Sequence, residues 1–211
     1  MRIHTIVAGA LTPLAAAQTA GPYTDARSGI TFNTFQHSSG AFVGLALPAS
    51  NTGSTDFIAT IGGKSTSWTG VSLGGGMLNE LLIVAWPNEQ RIVSSFRKTA
   101  NYGSPAVASG SFTQNPIING TYVNSTHWTY TFLCSKCIQG DGTTFNITDT
   151  AASLGYAINT KAPAQRSDPA SSVSKHTAQG QAGFDLSKAR NSNFDIWKAY
   201  AVATTSPSRL M

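Results

Sequence analysis

The chain has 211 residues, 41% hydrophobic and only 11% charged, with a formal net charge of +5. That length makes one domain, able to bury roughly 70% of the surface its unfolded chain exposes. Lysine and arginine are scattered and form no run, which argues against a nucleic-acid groove, and no heptads, internal repeats or long linkers are present.

Met1-Arg2-Ile3-His4 is a short basic start, residues 6–14 are mostly apolar, and Ala15-Ala16-Ala17 fits a small-x-small cleavage site. The apolar run is too short for a membrane span and ends in a cleavage pattern. Residues 1–17 therefore read as a secretory signal peptide and 18–211 as the mature domain, with Gln18 able to cyclise to pyroglutamate. The expectation is a secreted, extracellular monomer that engages neither membrane nor nucleic acid.

Residues 29–35 alternate apolar and polar side chains, as a half-buried strand does. Residues 42–47, 56–61, 70–73, 81–86, 91–96, 128–134 and 154–158 read the same way, separated by Gly, Asn, Ser and Pro. Short strands at this spacing predict an all-β fold, an antiparallel immunoglobulin-like β-sandwich. Asn-x-Ser/Thr sequons at Asn119, Asn124 and Asn146 are candidate glycosylation sites and agree with export. Residues 162–174, broken by Pro163 and Pro169, form the clearest loop. Only the tail looks helical: Ser192 is a candidate N-cap, and Phe194, Trp197 and Tyr200 recur at helical spacing, a stripe that packs on the sandwich.

The cysteines are Cys134 and Cys137. In an exported chain such a pair is most simply a disulfide, although its tiny loop contributes only about 2 kcal/mol of entropic stabilisation. Ile138, where a histidine would have to stand, excludes covalent c-type haem attachment. A four-cysteine zinc site lacks its second pair, and a thioredoxin-like redox site would want a βαβ setting. No paired carboxylates stand out and no Gly-x-Ser-x-Gly elbow is present, so no catalytic residues are assigned.

The stretch Trp68-Thr69-Gly70-Val71-Ser72-Leu73-Gly74-Gly75-Gly76-Met77 carries a methionine on a glycine-rich turn between two strand-like runs. A thioether held in that way is a candidate soft axial ligand for haem iron; the alternative is a gap-filling core methionine. Its partner would be a histidine, and the mature chain offers His37, His127 and His176. The residues alone leave all three open. His176, where the polar loop returns to an apolar segment, is the preferred one. Any haem would be held non-covalently, as haem b. A competing class is a haem-free carbohydrate-binding sandwich that stacks sugars on Trp68, Trp86 or Trp128, although core packing is the expectation for all three.

Taken together, the motifs resemble the cytochrome domain of cellobiose dehydrogenase, a secreted fungal haem b module also found as stand-alone iron-reductase-like cytochromes. The residues that carry the resemblance are Tyr23-Thr24-Asp25 with Gly29-Ile30-Thr31-Phe32; Thr55-Asp56-Phe57-Ile58; Trp68 through Met77; Leu82-Ile83-Val84-Ala85-Trp86-Pro87-Asn88; Ile92-Val93-Ser94-Ser95-Phe96-Arg97; and Asn124-Ser125-Thr126-His127-Trp128 leading to Cys134-x-x-Cys137. They span essentially the whole mature chain.

The resemblance implies a β-sandwich holding one haem b between axial Met77 and His176, with Tyr102 near a haem propionate. Lys175, beside the histidine, is a further propionate candidate on charge alone. It also implies an electron carrier of lignocellulose degradation rather than an enzyme in its own right. The donor would be an extracellular flavin dehydrogenase. The acceptor would be a lytic polysaccharide monooxygenase or ferric iron, the latter amounting to ferric reductase activity. The sequence has no Gly-x-Gly-x-x-Gly dinucleotide fingerprint, so no sugar oxidation by this chain itself is expected.

Overall fold

The computed structural model describes residues 19–50 and 53–202; the expected signal peptide and Gln18 lie outside the described residues. In chain order the strands are β1 (Gly21–Thr24), β2 (Thr31–Gln36), β3 (Phe42–Pro48), β4 (Phe57–Lys64), β5 (Trp68–Ser72), β6 (Leu82–Asn88), β7 (Arg91–Lys98), β8 (Ala106–Val107), β9 (Thr113–Pro116), β10 (Tyr122–Val123), β11 (His127–Ser135), β12 (Ala151–Asn159), β13 (Ala178–Asp185) and β14 (Arg190–Asn191). A 3-10 turn covers Ile118–Gly120, and the helices are α1 (Leu186–Ala189) and α2 (Phe194–Lys198). The strands form two sheets. The first runs β1-β2-β3-β4-β11-β10, with β9 on β11 and β14 on β3; the second runs β13-β12-β5-β6-β7-β8. Apart from the parallel β14–β3 pair, the ladders are antiparallel. This is the expected all-β sandwich.

Alternation along each strand sorts side chains into three apolar layers. Between the sheets lie Val43, Leu45, Ala59, Ile61, Tyr130 and Phe132 from the first, and Val71, Ile83, Ala85, Leu154, Tyr156 and Phe184 from the second. On the outer face of the first sheet, Ile30, Phe32, Ala46, Ile58 and Leu133 are covered by Phe194 and Trp197 of α2. On the outer face of the second, Trp68, Val84 and Trp86 pack with Val93, Ala157 and Val173. Cys134 and Cys137 are disulfide-bonded, with Cα atoms 5.5 Å apart.

Several expectations need correction. The helical tail shrinks to α2; Ser192 lies outside it, and Asn193 occupies the N-cap position without a side-chain bond. The preceding residues are committed to β14, which pairs with β3. Phe194 and Trp197 are buried but Tyr200 is exposed, so the stripe has two members. Trp68, Trp86 and Trp128 pack in the core as expected, at 3%, 0% and 0% exposed, and it is the competing sugar-stacking class that loses its platforms. Strand β13 escaped the pattern because its core-facing side is Gly180, Ala182 and Phe184, small residues alternating with glutamine.

The irregular stretch 162–174 is not a free loop. Its anchor is Arg97 at the end of β7, a guanidinium only 1% exposed. Arg97 Nη1 donates to the Pro105 carbonyl (2.8 Å), Nη2 to those of Pro169 (2.6 Å) and Ser171 (2.9 Å), and Nε to Ser95 Oγ (2.7 Å). Burial lowers its pKa while Asp168 opposes the shift, and an arginine remains charged throughout. Trp86 Nε1 donates to the Arg166 carbonyl at 2.8 Å. Arg97→Met strands the Pro105 and Ser171 carbonyls in an apolar setting, while the Pro169 carbonyl keeps the Ser95 hydroxyl at 2.8 Å. Equilibrium urea unfolding should register a loss of about 3 kcal/mol, and limited proteolysis should cut within residues 163–172 at least tenfold faster. Arg97→Lys, which supplies donors without the fork, should recover only part of both.

Candidate functional site

The glycine-rich turn between β5 and β6 is a built loop. At its base Leu73 N donates to Leu81 O (3.0 Å), and Phe145 N to Leu73 O (2.7 Å). Gly75 has φ of +93°, in the left-handed region that favours glycine, and a Cβ there would stand 2.9 Å from the Ser153 carbonyl oxygen. Gly155 of β12 answers it, since a Cβ at 155 would lie 2.5 Å from the Gly75 oxygen. The two backbones thus touch, and Gln181 Nε2 donates to Gly75 O at 3.1 Å. The pairing sets the Met77 turn against the outer face of the second sheet, where β12 begins. Met77 itself is half-buried.

His176 belongs to the segment that crosses the same face. Val173 packs on Trp68, Val84 and Trp86, and its amide donates to Ser104 Oγ at 3.0 Å. Asn159 Nδ2 donates to Ser174 Oγ (3.1 Å) and to the Lys175 carbonyl (2.6 Å). His176, half-buried, follows immediately, and Thr177 N donates to Ile158 O, leading into β13. Four residues of β12, about 13 Å of strand, separate Gly155 beneath the methionine turn from Asn159 beside the histidine segment. Between these ends lie Trp68, Gly70 and Ser72 of β5 and Val84 of β6.

The three histidines are now distinguishable. His37 Nδ1 lies 2.9 Å from Ser39 Oγ and accepts from the Ser39 amide; His127 Nδ1 lies 2.8 Å from Thr126 Oγ1. Both also border the open depression on the first sheet that contains Lys64. Among the described residues, the His176 ring nitrogens have no protein hydrogen-bond partner.

Tyr102 and Lys175 stand at the rim. Tyr102 is 83% exposed, on the stretch between β7 and β8. That stretch is joined to the methionine turn by Asn79 N donating to Thr99 O (2.7 Å), and to the histidine segment through Ser104. Lys175 is exposed and ordered through its carbonyl. Sequence reading missed the residues that position this site, namely Arg97, Ser95, Ser104, Asn159 and Gln181. Each is a polar residue in or beside a strand and carries no local signal that separates it from a solvated one.

The face suits an inserted planar group with apolar body and polar edges. Trp68 Nε1, Ser72 Oγ and Glu80 Oε2 are buried polar atoms without a partner among the described residues, and such orphans call for an explanation. Two lie on the outer face of β5 and the third in the methionine turn. A thioether, an unengaged imidazole and an apolar wall form a donor set suited to haem iron.

The comparisons with known proteins bear on the family and the fold. A sequence profile described as the cytochrome domain of cellobiose dehydrogenase matches residues 23–196. The cytochrome domain of Myriococcum thermophilum cellobiose dehydrogenase superposes with a TM-score of 0.79 at 28% identity, over 90% of this chain and all of that one. The cytochrome b domain of Coprinopsis cinerea pyranose dehydrogenase gives 0.76 at 27% identity, over 86% and 95%. A pyrroloquinoline quinone-dependent pyranose dehydrogenase of Coprinopsis cinerea is 30% identical over 82% of the chain, which spans about a quarter (24%) of that relative's length. With profile and fold in agreement over most of its length, this chain belongs to the cytochrome-domain family of cellobiose dehydrogenase, whose role is electron transfer.

Proposed function

We propose that the protein is an extracellular single-electron carrier whose haem b is bound non-covalently between Met77 and His176. What supports this reading is the seating of the Met77 turn on Gly155 and of the segment leading to His176 on Asn159, along one face of β12, whereas His37 and His127 border a depression on the first sheet. A haem b bound there supplies a one-electron couple. Met77 and His176 would hold that haem through thioether and imidazole, and Gly75, Gly155 and Asn159 hold the two segments that carry them. Two filled positions leave no vacancy for dioxygen, which favours transfer over oxygen activation, and thioether ligation raises the potential. Trp68 Nε1 and Ser72 Oγ are donors for polar groups at the edge of the macrocycle, and Tyr102 and Lys175 are candidates for its exposed propionates.

The donor we infer is a sugar dehydrogenase. A quinone-bearing enzyme is supported alongside a flavin one, because the curated relative is named as pyrroloquinoline quinone-dependent. The acceptor is a lytic polysaccharide monooxygenase or a ferric complex. Secretion through the 1–17 signal and glycans on Asn119, Asn124 and Asn146 complete the proposal. Among the described residues no helix is long and apolar enough to cross a membrane.

Secreted protein should be red, with one extractable haem b per chain by the pyridine haemochrome assay; protein that stays colourless when expressed with added haem would remove the reading. Met77→His should stay six-coordinate by resonance Raman yet have a lower midpoint potential. His176→Ala should lose haem or become five-coordinate, while His37→Ala and His127→Ala keep the wild-type spectrum. Loss on changing His37 or His127 would reassign the ligand.

The reduced protein should be reoxidised rapidly by a copper monooxygenase or a ferric complex and slowly by dioxygen in stopped-flow mixing. Redox encounters are small, and a carrier of positive net charge should show a second-order rate that falls as salt rises if its partner is acidic. A rate indifferent to salt would remove charge steering, and dioxygen as the fastest acceptor would argue for an open iron.

A further inference from the structure

The outer face of the first sheet is only half covered by α2. The other half is a cleft of about 120 Å3 lined by Tyr23, Asp25, Thr34, Gln36, Phe42, Thr60, Tyr122 and Thr129. Tyr23 is on β1 and Tyr122 on β10, the two ends of the six-strand path. For both to line one cleft, the sheet must coil until its edges approach. Arg27, in the turn after β1, spans the gap, with its guanidinium carbon 4.4 Å from the centre of the Tyr122 ring.

The floor is made by two glycines. At Gly62 a Cβ would fall within 2.1 Å of the Phe42 ring, so that ring lies flat across the strand. At Gly44 a Cβ would be 2.6 Å from Thr34 Oγ1 and 2.8 Å from Thr60 Cγ2, so the two threonines close over bare backbone. Thr34 Oγ1 is buried without a partner among the described residues. The single carboxylate of the lining, Asp25, is 8% exposed and already accepts from Ser28 Oγ (2.6 Å), Ser28 N (3.1 Å) and Arg27 N (3.3 Å). Tyr23 is 49% exposed; burial, Asp25 and Tyr122 all raise its pKa, so its phenol stays a hydrogen-bond donor.

Aromatic walls, a hydroxyl-bearing floor and a rim amide from Gln36, with the Arg27 cation engaged by the Tyr122 ring and Asp25 by the turn after β1, select a ligand that is itself flat, apolar on its faces and hydroxylated at its edge. We propose that this cleft binds one neutral pyranose ring, stacked against Tyr23 and Tyr122 with its hydroxyls met by Thr34, Thr129 and Gln36. The cleft is small against the roughly 300–1,000 Å3 of sites for drug-sized ligands, so it takes a free sugar or the terminal ring of a chain rather than a chain interior. The cation at the cleft, Arg27, is held over the Tyr122 ring, so inorganic phosphate serves as the charged control ligand and tighter binding of phosphate than of every sugar overturns the proposal. The site lies on the sheet opposite the proposed metal centre and stands or falls independently of it.

The test is saturation-transfer NMR on the secreted full chain with glucose, xylose, galactose and mannose, and with their β-1,4-linked oligomers. At least one should bind saturably. Oligomers should bind no more tightly than the matching monosaccharide if a single ring is held. Tyr23→Ala, at a half-exposed position that leaves the core intact, and Tyr122→Ala should each weaken binding at least tenfold, about 1.4 kcal/mol, with thermal melting and visible spectrum unchanged. Tyr122→Phe, which keeps the ring, should retain most of the affinity. Absence of binding by any of these sugars, or wild-type affinity in Tyr23→Ala, overturns the proposal. Steadily rising affinity with oligomer length overturns its single-ring form.

Discussion

A charged guanidinium with almost no access to solvent sets the geometry of one whole face of this protein. Arg97 emerges from β7 and gathers the carbonyls of Pro105, Pro169 and Ser171. Pro105 closes the stretch that carries Tyr102, and Pro169 and Ser171 precede the segment that carries His176 to the sheet. A backbone without regular structure lies against an apolar surface only if its polar groups are met. Here Arg97, Ser95, Trp86, Ser104 and Asn159 meet them one after another. The loop can therefore be long and proline-broken and still present one histidine at one place.

The methionine turn is held by a different device. Contact between Gly75 and Gly155 is backbone to backbone and admits no Cβ on either side. The two halves of the site thus rest on unlike physics, steric fit for the methionine and charge-assisted hydrogen bonding for the histidine. Packing of this kind moves little with temperature or ionic strength, whereas the guanidinium clamp is screened from salt by its burial. A site built in this way suits a reaction that asks for no rearrangement when an electron arrives or leaves.

Much of the fold was legible because most of its long strands are apolar or alternating runs bounded by Gly, Asn, Ser and Pro. The eight strands read from the sequence correspond to β2 to β7, β11 and β12. Strands that pair through glycine, alanine and glutamine, or through two or four residues, left no periodic trace; β13 and β10 are examples. Of the candidate site, Met77 was legible through the glycines around it. The choice among the histidines was not, because which of them comes to lie on the same sheet as the methionine turn depends on long-range pairing that local sequence does not encode. Arg97 was invisible for the opposite reason, since a basic residue ending a strand looks solvated until the covering loop is placed over it.

The edges of the two sheets are cut short. The first ends in β10 and the second in β8, each only two residues long. On the other side β1 carries Pro22, which has no amide proton to offer a neighbour, and Ala20 N donates to Gly183 O along β13. Few unpaired ladder groups therefore face outward in a row, the arrangement by which strand-rich proteins avoid templating one another. The fourteen strands among the described residues can then be crowded together with other copies of the chain without zipping into fibrils.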